Sequence, residues 1–511
     1  MKNLLLFYIL LCLPYNAIAQ DYFIKTIDIE NTSSDNGLRI IANENDYVVL
    51  CGVITNIGAS GIIKSDIQGN KIWDNHFDFY PYESGISNLI KLSNENYLIS
   101  GARVESGLDF QDLFTFVNDN GYIYRSVVHG DTMDNRVPNT ILRGDKIVAF
   151  TSITPVNAGL DQYNNTLLLT MDTAGNILRE DTLQNIAGYP MNGGEEIILL
   201  PTNEYILGIG AQNEPNEIYG YLRKTDTIGT TIWEKRINDY KSITAPIHLS
   251  TLQNGNFVVS WGQYAGINQA YGTFVRCYNS AGDSLWQYTF AAFPYGKNIQ
   301  DLHVCANGDI IGCGYTGNFD LTGASTAWLF RLSPEGSLRW WREYVYWDAL
   351  SYFMPLYALT EDYNGDIVAT GYANRPDDNG ISTGQVALLK VNASGCFGSD
   401  GCNDSRIVHS VVTSTSPPTP PPLFNAEAVV RVYCASGTGE VFVFYHLPPP
   451  PAHFLLYDLN SRKVLEHKLP LNDVFSPIAL PNLPSGLYIY VVEQASNVVA
   501  RGKIIVNYSN N

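Results

Sequence analysis

A short pattern recurs seven times along the chain and limits its fold more than any other feature. In each copy a polar turn leads into an apolar strand, and these strands are anchored at positions 47, 97, 147, 205, 257, 310 and 367. The intervals of 50, 50, 58, 52, 53 and 57 residues match the length of a four-stranded antiparallel sheet with its turns. The repeat therefore predicts an all-β chain built as a β-propeller.

Each copy also carries a turn marker, an Asp, Asn or Ser placed three residues before a Gly. The glycines are at 69, 121, 175, 229, 282, 336 and 395. Asp, Asn or Ser at the first corner and Gly at the fourth favour a type I turn, here between the third and fourth strands of a sheet. In four copies a Trp follows the Gly by four residues, at Trp73, Trp233, Trp286 and Trp340. We expect these tryptophans to pack between sheets rather than to contact a ligand.

The seventh copy ends at Cys396 and Phe397 without a fourth strand, whereas the N-terminus offers an unassigned strand over residues 22–28. Trp73 precedes the next anchor by 24 residues, and Phe23 precedes Tyr47 by the same number. The N-terminal strand is thus predicted to complete the last sheet, which would cover two open edges at once. Residues 20–410 are predicted to form a seven-bladed β-propeller closed in this way.

The Trp-bearing repeats resemble those of quinoprotein-type propellers, in which a turn Gly precedes a Trp that packs between blades. The resemblance covers the repeat pattern of residues 20–400 and implies no active site.

The N-terminus indicates export. Residues 1–19 combine Lys2, an apolar run over 4–13 and the sequence Ala17-Ile18-Ala19, which is typical of a secretory signal peptide. The apolar run is too short for a stable membrane span. A Pro-rich linker is predicted at 411–425, followed by a small β-sandwich over 426–511 with short alternating strands.

Three blocks in the last domain carry a second resemblance, residues 456–464, 483–488 and 502–506. They resemble the C-terminal sorting domain of type IX secretion substrates from Bacteroidetes. The resemblance implies an immunoglobulin-like domain recognised by the secretion machinery and a final location outside the cell or at the outer-membrane surface. The motif positions in this sequence are Gly486, Tyr488, Gly502 and Lys503.

Charge and cysteine content restrict the partners. Lys and Arg number 31 against 50 Asp and Glu, a formal charge of −19, so binding to nucleic acid is disfavoured. Removal of the signal peptide leaves seven cysteines, and an exported protein can form disulfides. Cys396 and Cys402 are the best candidate pair because they close a short polar loop, and Cys305 and Cys313 could also pair.

Catalytic motifs are scarce. Residues 380–384 match Gly-x-Ser-x-Gly but have no following helix, so they are predicted to form a loop. None of the eight histidines has zinc-ligand spacing, and no catalytic, cofactor or metal residue is assigned. The Asp-rich turns at 362–366 and 377–380 could hold calcium, but Asp and Asn favour turns for conformational reasons alone. We therefore expect no cofactor.

The longer connections between strands are aromatic and are predicted to emerge on one face. A ligand-binding rim is proposed there, formed by Trp261, Tyr264, Tyr295, Tyr346, Trp347 and Tyr372. The leading interpretation is a non-catalytic module that binds a glycan or protein, unless the tyrosines only cap the sheets. The alternative is a polysaccharide-degrading hydrolase or lyase with its site in the central funnel. Facing carboxylates or converging Arg and Tyr in the funnel would favour the enzyme, and a closed apolar axis would favour the binder. A third possibility is a structural surface-layer component whose repeats only assemble.

Overall fold

The computed structural model describes most of residues 22–506. The undescribed parts include 1–21, 105–109, 156–164, 238–246, 265–270, 348–353, 411–428 and 507–511, with shorter loops between strands. All regular elements in the described residues are β-strands. The chain divides into two compact units, Met1–Thr413 and Ser414–Asn511. The described residues contain no helix with the length and apolar character needed to cross a membrane.

The first unit repeats a four-stranded antiparallel arrangement, and we number these sheets 1 to 7 in the order of the sequence repeats. Sheets 7 and 1 are joined by a parallel bridge between Gly384 and Ser34, and sheet 6 has an added fifth strand. The chain begins with strand β1 (Phe23–Ile27). Sheet 1 contains β2 (Ser34–Ala42), β3 (Asp46–Ile54), β4 (Ala59–Asp66) and β5 (Lys71–Phe77), and sheet 2 contains β6 (Glu83–Lys91), β7 (Tyr97–Val104), β8 (Phe110–Val117) and β9 (Ile123–His129). Sheet 3 contains β10 (Met133–Asn135), β11 (Asn139–Arg143), β12 (Lys146–Pro155), β13 (Asn165–Asp172) and β14 (Ile177–Leu183), and sheet 4 contains β15 (Met191–Leu199), β16 (Tyr205–Gln212), β17 (Ile218–Thr225) and β18 (Thr231–Arg236). The short β10 and β11 together stand in the place of a first strand, because both pair with β12.

The remaining strands of the first unit follow the same order. Sheet 5 contains β19 (His248–Thr251), β20 (Phe257–Tyr264), β21 (Tyr271–Tyr278) and β22 (Ser284–Phe290), and sheet 6 contains β23 (Gly296–Val304), β24 (Ile310–Gly317), β25 (Ser325–Leu332) and β26 (Leu338–Trp347). Sheet 7 contains β27 (Leu356–Glu361), β28 (Ile367–Pro376) and β29 (Ser382–Val391), and β30 (Arg406–Ser410) follows it. Because β29 begins at Ser382, part of the segment predicted as a loop over 380–384 is strand. The arrangement is consistent with a β-propeller.

The N-terminal strand completes sheet 7, as predicted. β1 pairs antiparallel with β29, with Phe23 opposite Lys390 and Ile27 opposite Val386. Sheet 7 therefore contains β27, β28, β29 and β1, which joins the first described strand of the chain to the last sequence repeat.

The first strands of the sheets contact one another in a closed sequence. β2 contacts β6, and the contacts continue through β11, β15, β19 and β23 to β27, which in turn contacts β2. Side chains on these strands therefore approach one another around a common centre, whereas the fourth strands lie at the opposite edge of each sheet.

The turn and Trp markers perform the predicted packing role. All seven turn glycines have positive φ, between 74° and 83°, and each donates its N–H to the carbonyl of the residue three before it. Trp286 lies over Gly336 of the next sheet and donates Nε1–H to the Pro334 carbonyl at 2.9 Å. Trp73, Trp233 and Trp340 lie against Gly121, Gly282 and Gly395 in the same manner.

Beyond sheet 7 the chain turns back onto sheet 6. Cys396 and Cys402 form a disulfide with Cα atoms 5.6 Å apart, and β30 then pairs parallel with β26. Cys305 and Cys313 are buried free cysteines, so the second pairing considered from the sequence does not form. The hairpin explains this, since Cys313 lies opposite Asp301 whereas Cys305 bonds to Asp309 across the turn.

The second unit contains two sheets with a shared apolar core. One sheet has β31 (Val429–Ala435), β32 (Glu440–His446) and β35 (Phe475–Ala479), and the other has β34 (Lys463–Leu469), β33 (Ala452–Tyr457), β36 (Gly486–Gln494) and β37 (Asn497–Val506). Tyr488 is buried in this core and donates its hydroxyl to the Pro484 carbonyl at 2.9 Å. Gly486 begins β36, while Gly502 lies beneath the Tyr490 ring and Lys503 is exposed.

Candidate functional site

A ring of polar side chains lies where the first strands meet. Each sheet contributes the residue eight or nine positions before its anchor, and this residue always lies opposite the one three positions after the anchor. The members, in sheet order, are Arg39, Asn88, Asn139, Glu196, His248, Asp301 and Ala358. We call the six polar members the polar ring. Its position on the closed series of first strands brings side chains from six sheets towards the same centre.

A β-bulge helps to aim these side chains. The ladder register shifts immediately before Arg39, Asn88, Glu196, Asp301 and Ala358, and a bulge bends its strand and redirects the adjoining side chain. Asn88 Oδ1 and Asp301 Oδ1 each accept the N–H of the following residue, at 2.8 and 2.9 Å. The same local geometry thus recurs in sheets 2 and 6.

Neighbouring members of the polar ring are hydrogen-bonded across sheets. Asn88 Nδ2 donates to Asn139 Oδ1 at 2.9 Å, and Asn139 Nδ2 lies 3.5 Å from Glu196 Oε1. Glu196 Oε2 is 3.3 Å from Nδ1 of His248. Four consecutive sheets are therefore linked through side chains at their centre.

The two carboxylates of the ring have different partners. Asp301 accepts the Leu359 N–H of sheet 7 at 3.0 Å on its second oxygen, and burial raises its pKa despite the opposing charges of Arg39 and His248. Glu196 instead faces side-chain donors on both oxygens. Two carboxyl groups held in different environments are the arrangement used in acid–base catalysis.

Three half-buried tyrosines, contributed by sheets 6 and 7, interact with one another. Asn298, three residues before Asp301, donates Nδ2–H to the Tyr315 hydroxyl at 3.0 Å. Tyr357 directly precedes Ala358, and burial together with Tyr315 and Tyr372 raises its pKa to about 12. Tyrosine side chains in such a group can offer both ring faces and hydroxyls to a ligand.

The predicted rim residues lie in different environments. Tyr372 belongs to the tyrosine group just described, whereas Trp261 is only 2% exposed. The Trp261 ring stacks on the Phe274 ring with centroids 5.2 Å apart. The Arg276 guanidinium lies over the Trp261 ring, with its Cζ 5.0 Å from the ring centroid. The interpretation of Trp261 as a surface rim residue is therefore corrected, since it packs inside sheet 5. The other rim residues, Tyr264, Tyr295, Tyr346 and Trp347, have side chains outside the described residues.

The described Asp-rich turn binds protein groups. Asp362 Oδ1 accepts the backbone N–H groups of Asn364 and Asp366 at 2.9 and 3.0 Å, and Oδ2 is 2.9 Å from Lys390 Nζ. The turn at 377–380 lies outside the described residues. Within the described part of the chain, no three His, Cys, Asp or Glu side chains are grouped so that they could hold a metal ion.

The sequence repeat contained a signal for the polar ring. Counted back from its anchor, the ring position falls at eight residues in the first and third copies and at nine in the other five. It is polar in six of the seven copies, although the flanking strand positions are mainly apolar. Inspection for catalytic motifs missed it because the six residues are contributed one per repeat and share no local spacing.

Neither a family model nor a curated protein matches the chain. Solved structures do show similarity. An α-L-arabinofuranosidase from Fusarium graminearum is 12% identical over 72% of this chain and 98% of that one, with a TM-score of 0.41. An α-L-arabinanase from Penicillium chrysogenum is 12% identical over 73% and 95%, with a TM-score of 0.38. A polysaccharide lyase is 10% identical over 72% and 92%, with a TM-score of 0.43.

Proposed function

We propose that the protein is an extracellular glycoside hydrolase whose active site is the polar ring of a seven-bladed β-propeller. The observation that carries the proposal is the placement of two carboxyl groups, Glu196 and Asp301, in this ring with His248 between them in sheet order. Two carboxyl groups on the closed series of first strands support an enzyme over a simple binder, for which a closed apolar axis was expected.

The two carboxyl groups would have different roles in the hydrolysis. Most glycosidases protonate the leaving oxygen with one carboxylic acid and use a second carboxylate as base or nucleophile. Asp301 suits the acid because burial raises its pKa and so favours the protonated form. Glu196 suits the base or nucleophile because Asn139 and His248 face its two oxygens.

The charge of the chain favours an uncharged polysaccharide. A formal charge of −19 repels polyanionic chains at long range. Elimination by a lyase requires a uronate-containing substrate, so hydrolysis of a neutral glycan is the preferred reaction. The tyrosines of sheets 6 and 7 would stack on its sugar rings.

The test is release of reducing ends from a panel of neutral and acidic polysaccharides by a chain of residues 20–511. The assay is run with calcium and again with chelator. We expect cleavage of at least one neutral polymer, and a loss of about 10²-fold or more in D301N and E196Q. D283N is the control because Asp283 lies in an exposed turn of sheet 5, with its side chain 68% exposed. Full activity in both ring variants would exclude the proposed site.

A second candidate is glycan binding without cleavage. The half-buried tyrosines Tyr315, Tyr357 and Tyr372 favour it, because aromatic rings and hydroxyls bind sugars without any acid–base group. A glycan-array screen of the wild type and D301N separates the two functions. Equal binding by both proteins, with no cleavage of the bound glycan by the wild type, would establish the binder.

We also propose the export route. Residues 1–19 would direct secretion, and residues 426–511 would act as an immunoglobulin-like sorting domain for a type IX system. The supporting observations are the signal-peptide pattern and the three sequence blocks that end at 506. Deletion of 426–511 should retain the protein inside the outer membrane, as measured by surface proteolysis of cells. Normal display of the truncated chain would overturn this assignment.

A further inference from the structure

His248 occupies an unusual place between the two ring carboxylates. It belongs to sheet 5, between Glu196 of sheet 4 and Asp301 of sheet 6, and it is only 6% exposed. Nδ1 lies 3.3 Å from Glu196 Oε2, whereas Nε2 has no hydrogen-bond partner among the described residues. His248 also interacts electrostatically with Asp301.

The two ring nitrogens of His248 differ in their partners, and this difference determines where the ring carries its hydrogen. A hydrogen on Nδ1 satisfies both the imidazole and the Glu196 carboxylate, because a carboxylate accepts and the ring nitrogen must donate. A hydrogen bond to an ionised carboxylate stabilises the ionised form. Among the described residues, Asp301 accepts from two backbone N–H groups, those of Leu302 and Leu359, and from no side-chain donor.

We infer that His248 is a positioning residue that fixes the roles of the two carboxyl groups, by donating Nδ1–H to Glu196 and leaving Asp301 as the proton donor. The inference rests on the proposed function and deepens it. In the reaction, Asp301 gives its proton to the leaving oxygen as the bond between that oxygen and the anomeric carbon breaks. Glu196 either attacks the anomeric carbon or takes a proton from the water that attacks it, and His248 keeps its Nδ1–H throughout. The protein therefore needs the Nδ1 donor rather than the whole imidazole.

The experiment compares three substitutions in the chain of residues 20–511. H248N keeps an amide donor near the Nδ1 position, whereas H248Q places its amide nearer Nε2 and H248L keeps neither donor. We expect kcat to fall at least about tenfold in H248L and H248Q, to stay within about threefold in H248N, and KM to change little in all three. Thermal unfolding checks that each variant is folded. H453N is the matched control, because His453 also lies with Nδ1 3.3 Å from a glutamate, Glu466, but in the second unit.

A measurement without substrate keeps the inference testable if the proposed activity fails. Long-range proton–nitrogen NMR of selectively 15N-histidine-labelled protein reports which nitrogen of His248 carries the hydrogen. We expect Nδ1–H in the wild type and an altered signal in E196Q. A hydrogen on Nε2 alone would overturn the inference, as would an active enzyme in which H248L keeps the wild-type kcat. Loss of activity in D301N alongside normal activity in H248L would reject this role and leave the proposed function intact.

Discussion

Phe23 lies over Gly69, so closely that a Cβ atom built on Gly69 would be 2.5 Å from the phenyl ring. Trp73, fifty residues later, lies in the same way over Gly121, with a closest distance of 2.6 Å. The strand that completes sheet 7 therefore presents to sheet 1 the contact that sheet 1 presents to sheet 2. This equivalence explains how the N-terminus joins the series without a special interface.

The Gly69 contact predicts a large effect of one methyl group. Gly69 has a φ of +75°, which costs an alanine about 1–2 kcal/mol, and the clash with Phe23 adds about 1–3 kcal/mol. We expect Gly69→Ala to lower the free energy of unfolding by the backbone cost and the clash cost together, as measured by denaturant titration. Gly255→Ala is the control, because Gly255 has a φ of +82° and no atom within 4 Å of its built Cβ. Equal losses in the two variants would show that the ring contact contributes nothing.

The Phe23 side chain should contribute strongly to the packing of β1 between sheets 7 and 1. It is 5% exposed and packs in the core formed by sheets 7 and 1. We expect Phe23→Ala to cost about 3–5 kcal/mol, the usual range for a buried Phe, measured by the same titration. Thermal unfolding should remain a single transition if β1 docks as part of the core. A variant with wild-type stability would contradict the role given to β1.

The fold was more accessible from sequence than the site. Anchors such as Tyr47 and Phe257 recur at nearly constant spacing, and the turn glycines need positive φ, so local chemistry predicts the strands and their order. The polar ring depends instead on which residues become neighbours through the seven long-range contacts between first strands, as in the approach of Asn139 to Glu196. Trp261 illustrates the converse error, since its residue type suggested a ligand contact but its stacking on Phe274 is set by the pairing of β20 with β21.

A buried lysine predicts a second strong stability effect. Lys390 Nζ is 2.9 Å from Asp362 Oδ2, and both side chains are under 5% exposed. Lys390→Met keeps the length of the side chain but leaves Asp362 without its cation, so we expect a loss of about 3–5 kcal/mol. Lys463→Met removes an exposed ion pair with Glu466 and should leave the unfolding curve unchanged. A small loss at Lys390 would mean that Tyr47 and the turn N–H groups alone stabilise Asp362.

The stability of the first unit should depend on pH through His129. Its Nδ1 lies 3.4 Å from Asp112 Oδ2 and its Nε2 3.2 Å from Glu180 Oε1, while Thr151 donates to the other oxygen of Asp112. The bond to Asp112 raises the pKa of His129, although burial opposes it. A raised pKa means that the folded state binds the proton more tightly. The stabilisation is therefore complete below the unfolded value of about 6.5 and is lost as pH rises through the folded pKa.

The measurement is the free energy of unfolding of the wild type and H129Q between pH 5 and 9. We expect the stability difference between them to be largest at the acidic end and to shrink as pH rises. His303 gives a control of opposite sign, because burial lowers its pKa and the folded state then binds its proton less tightly. H303Q should therefore gain stability relative to the wild type as pH falls below about 6.5. Parallel pH curves for H129Q and the wild type would show that His129 does not titrate against Asp112.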